Sequence, residues 1–207
     1  MILKIALTKG RVEEQFMELL DKLQIDITPF RNKQRKLIID LPGYQFILAK
    51  GPDVMTFVNR GVVDLGIVGS DLLMEQGNER NELMDLKIGQ CQFILASVAG
   101  FDVNAPGRKT IGTKYPRVAA RYFDRLGQDV EIIKIEGSVE LAPLIQLTDA
   151  IIDITETGTT LRENNLVVYD RLTKVSTRLV ANTMALRHKK TAILNFMHEL
   201  SSVIPES

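Results

Sequence analysis

Short aliphatic runs alternate along the chain with stretches in which apolar residues recur every three or four positions. Ile2-Leu-Lys-Ile-Ala-Leu7 predicts a strand, and the next segment places Val12, Phe16, Leu19, Leu20 and Leu23 on one helical stripe. Residues 37–40 and 46–48 read as strands joined by a turn at Pro42-Gly43, and Pro52-Asp53 opens a helix through Val58. A strand over 63–68 ends at Gly69-Ser70-Asp71, with Ser70 as the expected cap of a helix over 71–76. The rhythm then repeats. Strands are predicted at 93–98, 110–112, 130–135 and 150–154. One helix carries Val118, Ala119, Tyr122, Phe123 and Leu126 and stops at Gly127, and another runs from Val139 to about Leu147. Residues 166–169 and 172–182 read as extended, and a final helix aligns Ile193, Met197, Leu200 and Ile204.

Alternating strands and helices predict an α/β chain whose sheets are mostly parallel and covered on both faces. Two such rhythms without a flexible linker predict two lobes joined by extended crossings near 90–96 and 175–182. Lobe I is then 1–90 plus 177–207, lobe II is 91–176, and the cleft between them is the expected ligand site. Composition narrows the function. Twenty-six Lys plus Arg balance 26 Asp plus Glu, which speaks against a broad electrostatic footprint for nucleic acid or an anionic membrane. No apolar stretch is long enough to span a bilayer, and no charged-then-apolar leader opens the chain. The single cysteine, Cys91, fits a reducing cytoplasm and reads as a small buried residue at a lobe crossing. His188 and His198 fall on different sides of one predicted helix, so protein ligands for a metal are not expected.

The segment Asp153-Ile-Thr-Glu-Thr-Gly-Thr-Thr-Leu161 carries the most specific chemistry. A strand delivers Asp153, and the chain then enters a short helix through Thr157, Gly158, Thr159 and Thr160. Such an entry offers unsatisfied backbone N–H groups to an anion, Gly158 permits close approach, and the threonines add hydroxyl donors. An ordinary polar strand-to-helix turn with a threonine cap has the same local sequence.

Glu140-Leu-Ala-Pro-Leu-Ile145 followed by Asp149-Ala-Ile-Ile-Asp-Ile-Thr-Glu-Thr-Gly-Thr-Thr-Leu161 resembles the signature of the ATP phosphoribosyltransferases. Leu7-Thr-Lys-Gly-Arg11, Arg35-Lys-Leu-Ile38, Asp64-Leu-Gly-Ile-Val-Gly69 with Asp71, and Thr113-Lys-Tyr-Pro116 are similar to further segments of that family, in order. The resemblance implies a two-lobed, periplasmic-binding-protein-like (type II) fold. It implies attack by adenine N1 of ATP on the anomeric carbon of 5-phosphoribosyl 1-pyrophosphate (PRPP), with Mg²⁺ required. The expected length is that of the short form, without a C-terminal regulatory domain. That form works with a regulatory subunit similar to histidyl-tRNA synthetase, in a hetero-octamer. Three positions depart from the family pattern. Gln146 stands where Gly is common, Lys50 where Arg is common, and Glu156 where Ser is frequent.

Under this resemblance, Thr157, Gly158, Thr159 and Thr160 hold the ribose 5-phosphate and Asp153 the ribose hydroxyls, with Glu140 and Glu156 beside PRPP. Arg35 and Lys50 are the candidates for stabilising the departing pyrophosphate, catalytic together with Asp153. Lys9, Gly10, Arg11, Gly69, Ser70, Asp71, Lys114 and Tyr115 are assigned to ATP. Each has a plainer reading as a solvated turn, a helix cap or packing. The competing function is a non-catalytic binding or sensor module on the same fold.

Overall fold

The structure is a computed structural model and describes residues 2–77 and 82–204. In chain order its elements are β1 (Leu3–Thr8), α1 (Arg11–Lys22), α2 (Thr28–Arg31), β2 (Ile38–Leu41), β3 (Tyr44–Ala49), α3 (Gly51–Asn59), β4 (Leu65–Gly69), α4 (Ser70–Gln76) and β5 (Glu82–Asp85). There follow β6 (Cys91–Ser97), β7 (Lys109–Thr113), α5 (Pro116–Leu126), β8 (Val130–Lys134), α6 (Leu141–Leu144), β9 (Ala150–Thr155), α7 (Thr159–Glu163), β10 (Val167–Val175), β11 (Thr177–Ala181), α8 (Thr183–His188) and α9 (Lys190–Ser201).

Two compact units result, Met1–Leu73 with Gly77–Gln90 and Ser176–Ser207, and Met74–Gln76 with Cys91–Val175. The first crossing falls at 90/91, as the sequence predicts. The return falls one residue earlier than predicted. Ser176 joins the first unit because its carbonyl accepts Ser70 N–H at 2.9 Å and its N–H donates to Ser70 Oγ at 3.2 Å. Residues 74–76 group with the second unit, where the Glu75 carboxylate accepts the Arg117 and Val118 N–H groups at 2.9–3.1 Å. That contact closes the first turn of α5, where no intrahelical carbonyl is available.

Among the described residues the first unit holds a six-stranded sheet in the order β2-β3-β1-β4-β11-β5. Alternation along β1 explains its layers. Leu3, Ile5 and Leu7 point into a core with Phe16, Leu19 and Leu20 of α1, Phe30 of α2, and Ile193, Phe196 and Leu200 of α9. Ala6 faces the other side, where Val54, Met55 and Val58 of α3 and Leu73 of α4 pack. Ala6 is small for a reason shared by Gly66 beside it, where an added Cβ would lie 2.7 Å from Val58. The second unit holds a five-stranded sheet in the order β10-β6-β9-β7-β8. Ile94, Ala96 and Ile151 pack on one face with Val139, Ala142, Leu161 and Leu166.

The sheets are mixed rather than mostly parallel. The β1–β3, β1–β4, β7–β8 and β7–β9 pairs are parallel, but β2–β3, β4–β11, β5–β11, β6–β9 and β6–β10 are antiparallel. The antiparallel β6, β10 and β11 are the extended crossings themselves. The predicted helix over 139–147 shrinks to the four residues of α6, with Pro143 inside it and Gln146 at φ 59° just beyond. Left-handed backbone at Gln146 accounts for the family's Gly there, because only Gly takes φ > 0 without strain. Ser70 is not a cap. It begins α4, whose N-cap is Gly69. The two histidines lie on separate helices, α8 and α9, interrupted at Lys189. Cys91 is partly rather than fully buried.

Candidate functional site

The second unit gathers one set of predicted residues around a cavity of about 270 Å³. Glu140, Asp153, Glu156, Thr157, Gly158, Thr159 and Thr160 all line it. β9 is central and parallel to β7, so Asp153 emerges at carboxyl ends, where ligands bind in such sheets. Its Oδ1 accepts Ile154 N–H at 2.9 Å. Beyond β9 the chain turns sharply. Gly158 N–H donates to Thr155 Oγ1 at 2.9 Å, and Gly158 itself has φ 71°. Thr157 Oγ1 and Thr159 Oγ1 are 3.0 Å apart. The helix that follows, α7, has only five residues, so a helix macrodipole contributes little. First-turn N–H groups and hydroxyls remain as anion donors.

Lys114 lies at the same edge. Thr113 of β7 pairs with Ile152 of β9, which sets Lys114 level with Asp153. Lys114 is exposed; the Glu136 carboxyl is held below its usual range first by the hydrogen bond and charge of Lys134, with the charge of Lys114 a lesser contributor. Tyr115 is different. It is buried, and its ring meets Phe93 edge-on with centroids 5.0 Å apart. The Tyr115 ring is core packing, which corrects the expectation that it faces ATP. Glu156 is exposed on the cavity lining. Glu140 immediately precedes α6 rather than sitting in its first turn. A larger cavity, about 360 Å³, lies at the opposite edge of this sheet beside Ser97, Thr148 and Asp149. It offers no cation, and the Asp149 carboxylate there accepts Thr110 N–H at 2.7 Å, fixing the β7–β9 pairing.

The first unit gathers the cations. Thr8 pairs with Ala49, and Lys9 N–H donates to Ala49 O at 2.9 Å, so Lys9 and Lys50 leave adjacent parallel strands side by side. Arg11 follows through Gly10, whose φ 88° and ψ −138° only glycine adopts without strain. On the next strand outward, Leu37 O accepts Leu48 N–H at 2.8 Å, which brings the Arg35 turn to the same carboxyl edge. Arg35, Lys50, Lys9 and Arg11 are all exposed there. Gly69 ends β4 at this edge and is partly exposed, whereas Ser70 and Asp71 are buried. The turn is tethered by an ion pair that the sequence did not signal, between Lys33 and the buried Glu13 of α1.

A second residue missed in the sequence is Arg162. Its Nη1 donates to Thr157 O at 2.8 Å and its Nη2 to Thr159 Oγ1 at 3.0 Å. The available signal was its spacing three residues after Thr159, which returns it to the same side of a helical turn.

Among the described residues no three His, Cys, Asp or Glu side chains gather as a metal cage. Mg²⁺ asks for less, one or two carboxylates plus substrate phosphates and water. Glu140 and Asp153, on one cavity, fit that donor set.

Comparison with known proteins matches these features to one family. The family profile described as HisG, ATP phosphoribosyltransferase, fits residues 50–202. The ATP phosphoribosyltransferase of Lactiplantibacillus plantarum is 62% identical over 204 residues, covering 98% of this chain and 94% of that protein. The structure of the ATP phosphoribosyl transferase (HisG:HisZ) complex from Thermotoga maritima superposes with a TM-score of 0.84 at 34% identity, covering 98% of each chain. The periplasmic aliphatic sulphonate binding protein SsuA from Escherichia coli is similar in fold alone, with a TM-score of 0.60 at 14% identity over 98% of this chain and 72% of that one. The chain belongs to the ATP phosphoribosyltransferase family and has a periplasmic-binding-protein-like α/β fold.

Proposed function

We propose that this transferase, which opens histidine biosynthesis, uses the loop at 157–160 to hold the ribose 5-phosphate of PRPP and the cation edge of its first unit to hold polyphosphate. The carrying observation is the single cavity shared by Asp153, Glu140 and the threonine loop. Adenine N1 of ATP attacks the anomeric carbon as the bond to pyrophosphate breaks, giving N1-(5-phosphoribosyl)-ATP. N1 already has a lone pair, so no protein base is required.

Asp153 accepts from the ribose hydroxyls and faces the electron-poor carbon. Arg35 and Lys50 meet the pyrophosphate, whose charge grows as its bond breaks, so fixed cations favour the transition state over the ground state. Lys50 does this with a point charge where Arg would supply a fork. Lys9, Gly10, Arg11, Gly69 and Lys114 are assigned to ATP. Glu140 and Asp153 would hold Mg²⁺, which would supply charge neutralisation. The Thermotoga maritima protein was solved as a HisG:HisZ complex, which supports a regulatory subunit here; its likeness to histidyl-tRNA synthetase and the hetero-octamer rest on the family resemblance. We place the enzyme in the cytoplasm, a reducing compartment suited to a chain with one cysteine. A sensor module on the same fold would not require the threonine loop.

The test is incubation with ATP, PRPP and Mg²⁺, with and without the regulatory subunit, following product absorbance. Product that forms only when all three are present is expected. No product in either arm overturns the assignment.

A further inference from the structure

We propose that Arg162 is a positioning residue that holds the Thr157 carbonyl and the Thr159 hydroxyl in one fork and so fixes the corner receiving the ribose 5-phosphate. The inference rests on the phosphate-loop reading above and adds a residue to it. A guanidinium has only donors. Because Nη2 donates to Thr159 Oγ1 at 3.0 Å, one lone pair of that oxygen is occupied by the guanidinium. Thr157 Oγ1 lies 3.0 Å from Thr159 Oγ1 and also faces Thr159 N–H at 3.4 Å. The two hydroxyls hold two protons, and the bond between them uses one. The other is available to an acceptor in the cavity that both threonines line.

Without Arg162 the Thr159 lone pair that it occupies is left free to face a phosphate oxygen, which repels it. The second prong matters equally. Nη1 holds Thr157 O at 2.8 Å, so one rigid fork fixes a backbone carbonyl and a side chain two residues apart. A Cβ built on Gly158 would lie 3.4 Å from Nη1, which places the guanidinium against the left-handed corner of the loop. A lysine there could make one such bond at a time.

The test compares Arg162→Met, Arg162→Lys, Thr159→Val and the Arg162→Met/Thr159→Val double variant. Steady-state kinetics are run with the regulatory subunit, and ribose 5-phosphate binding is measured by calorimetry. Arg162→Met should raise KM for PRPP about tenfold and weaken ribose 5-phosphate similarly, with kcat and KM for ATP within about twofold. Arg162→Lys should recover only a minor part. Thr159→Val should cost about tenfold in the parent and under about twofold beside Arg162→Met, because the two act as one unit. Several outcomes overturn the proposal. One is an unchanged PRPP KM in Arg162→Met while Thr159→Val is impaired. Full rescue by Lys, additive losses in the double variant, or a loss of kcat that follows the melting temperature do so as well. If Thr159→Val itself leaves ribose 5-phosphate affinity intact, the phosphate-loop reading fails first, and that result is distinct from a failure of Arg162 alone.

Discussion

Replacing Gly158 with Ala separates a preformed loop from one shaped by its ligand. At φ 71° an L-residue meets its own carbonyl, at about 1–2 kcal/mol. The new Cβ would touch Arg162 Nη1 at 3.4 Å, the far end of a flexible side chain that can give by tenths of an ångström. Against this strain stand the bonds from Gly158 N–H to Thr155 Oγ1 at 2.9 Å and from Arg162 to Thr157 O and Thr159 Oγ1 at 2.8 and 3.0 Å. At about 1 kcal/mol each they outweigh the strain, so the corner should keep its shape. The cost then falls on folding, not on binding. Thermal unfolding should shift down by roughly 2–4 °C for a net loss of about 1 kcal/mol, while KM for PRPP stays within about twofold. Calorimetric melts and initial rates on the same preparation check both. An unchanged melt with KM raised about tenfold would refute the reasoning, because the free corner must then relax and be forced back by PRPP.

Thr157→Val with Thr160→Val should weaken PRPP binding at least about a hundredfold, from two charge-assisted hydrogen bonds, with the circular dichroism spectrum retained. Calorimetry reads this, and unchanged affinity would sink the phosphate assignment. Arg35→Ala should lower kcat by more than it raises the dissociation constant for PRPP, and a pure affinity loss would count against a leaving-group role. Gln146→Gly should stabilise by up to about 1 kcal/mol, since φ 59° then carries no Cβ penalty and the added unfolded-chain freedom offsets only part of the gain. A lower melting temperature would contradict this. Burial first, then the hydrogen bond and charge of Glu199, push the Tyr44 phenol from 10.0 up to about 12. A folded pKa above the unfolded one leaves that stability whole below pH 10.0 and removes it as pH climbs toward about 12. Tyr44→Phe should flatten alkaline unfolding across that window, and an unaltered profile would show that another group governs it.

The fold was legible wherever an element buries one face against a partner of known kind. Val12, Phe16 and Leu20 on one stripe define α1, because each turn returns an apolar side chain to the same core. Strand direction was not legible. Hydrophobic period reports which faces are buried and says nothing of how a neighbour runs, so β6, β10 and β11 read as strands while their antiparallel pairing did not. Short pieces escaped as well. α2 and β5 each span four residues, too few to display a period. In the site, the threonine loop was legible because its donors are contiguous in the chain. Tyr115 misled because its position after a strand resembles a ligand-facing turn, while Phe93 from β6 supplies the contact that buries it. Arg162 and the Glu13–Lys33 pair act through partners that only the folded backbone brings near.

The distribution of charge follows from what each phosphate does during the reaction. The 5-phosphate of PRPP keeps its charge from substrate to product, so equal binding throughout is sufficient. In the proposed assignment, neutral donors such as Thr157, Thr159 and Thr160 would supply that without favouring any one state. Their cavity also carries Glu140, Asp153 and Glu156. The pyrophosphate is the group that gains negative charge. In the proposed assignment Arg35 and Lys50, both exposed at the carboxyl edge of the first unit, act on it most at the moment of bond breaking. A chain with 26 cationic and 26 anionic side chains can thus handle two polyanions.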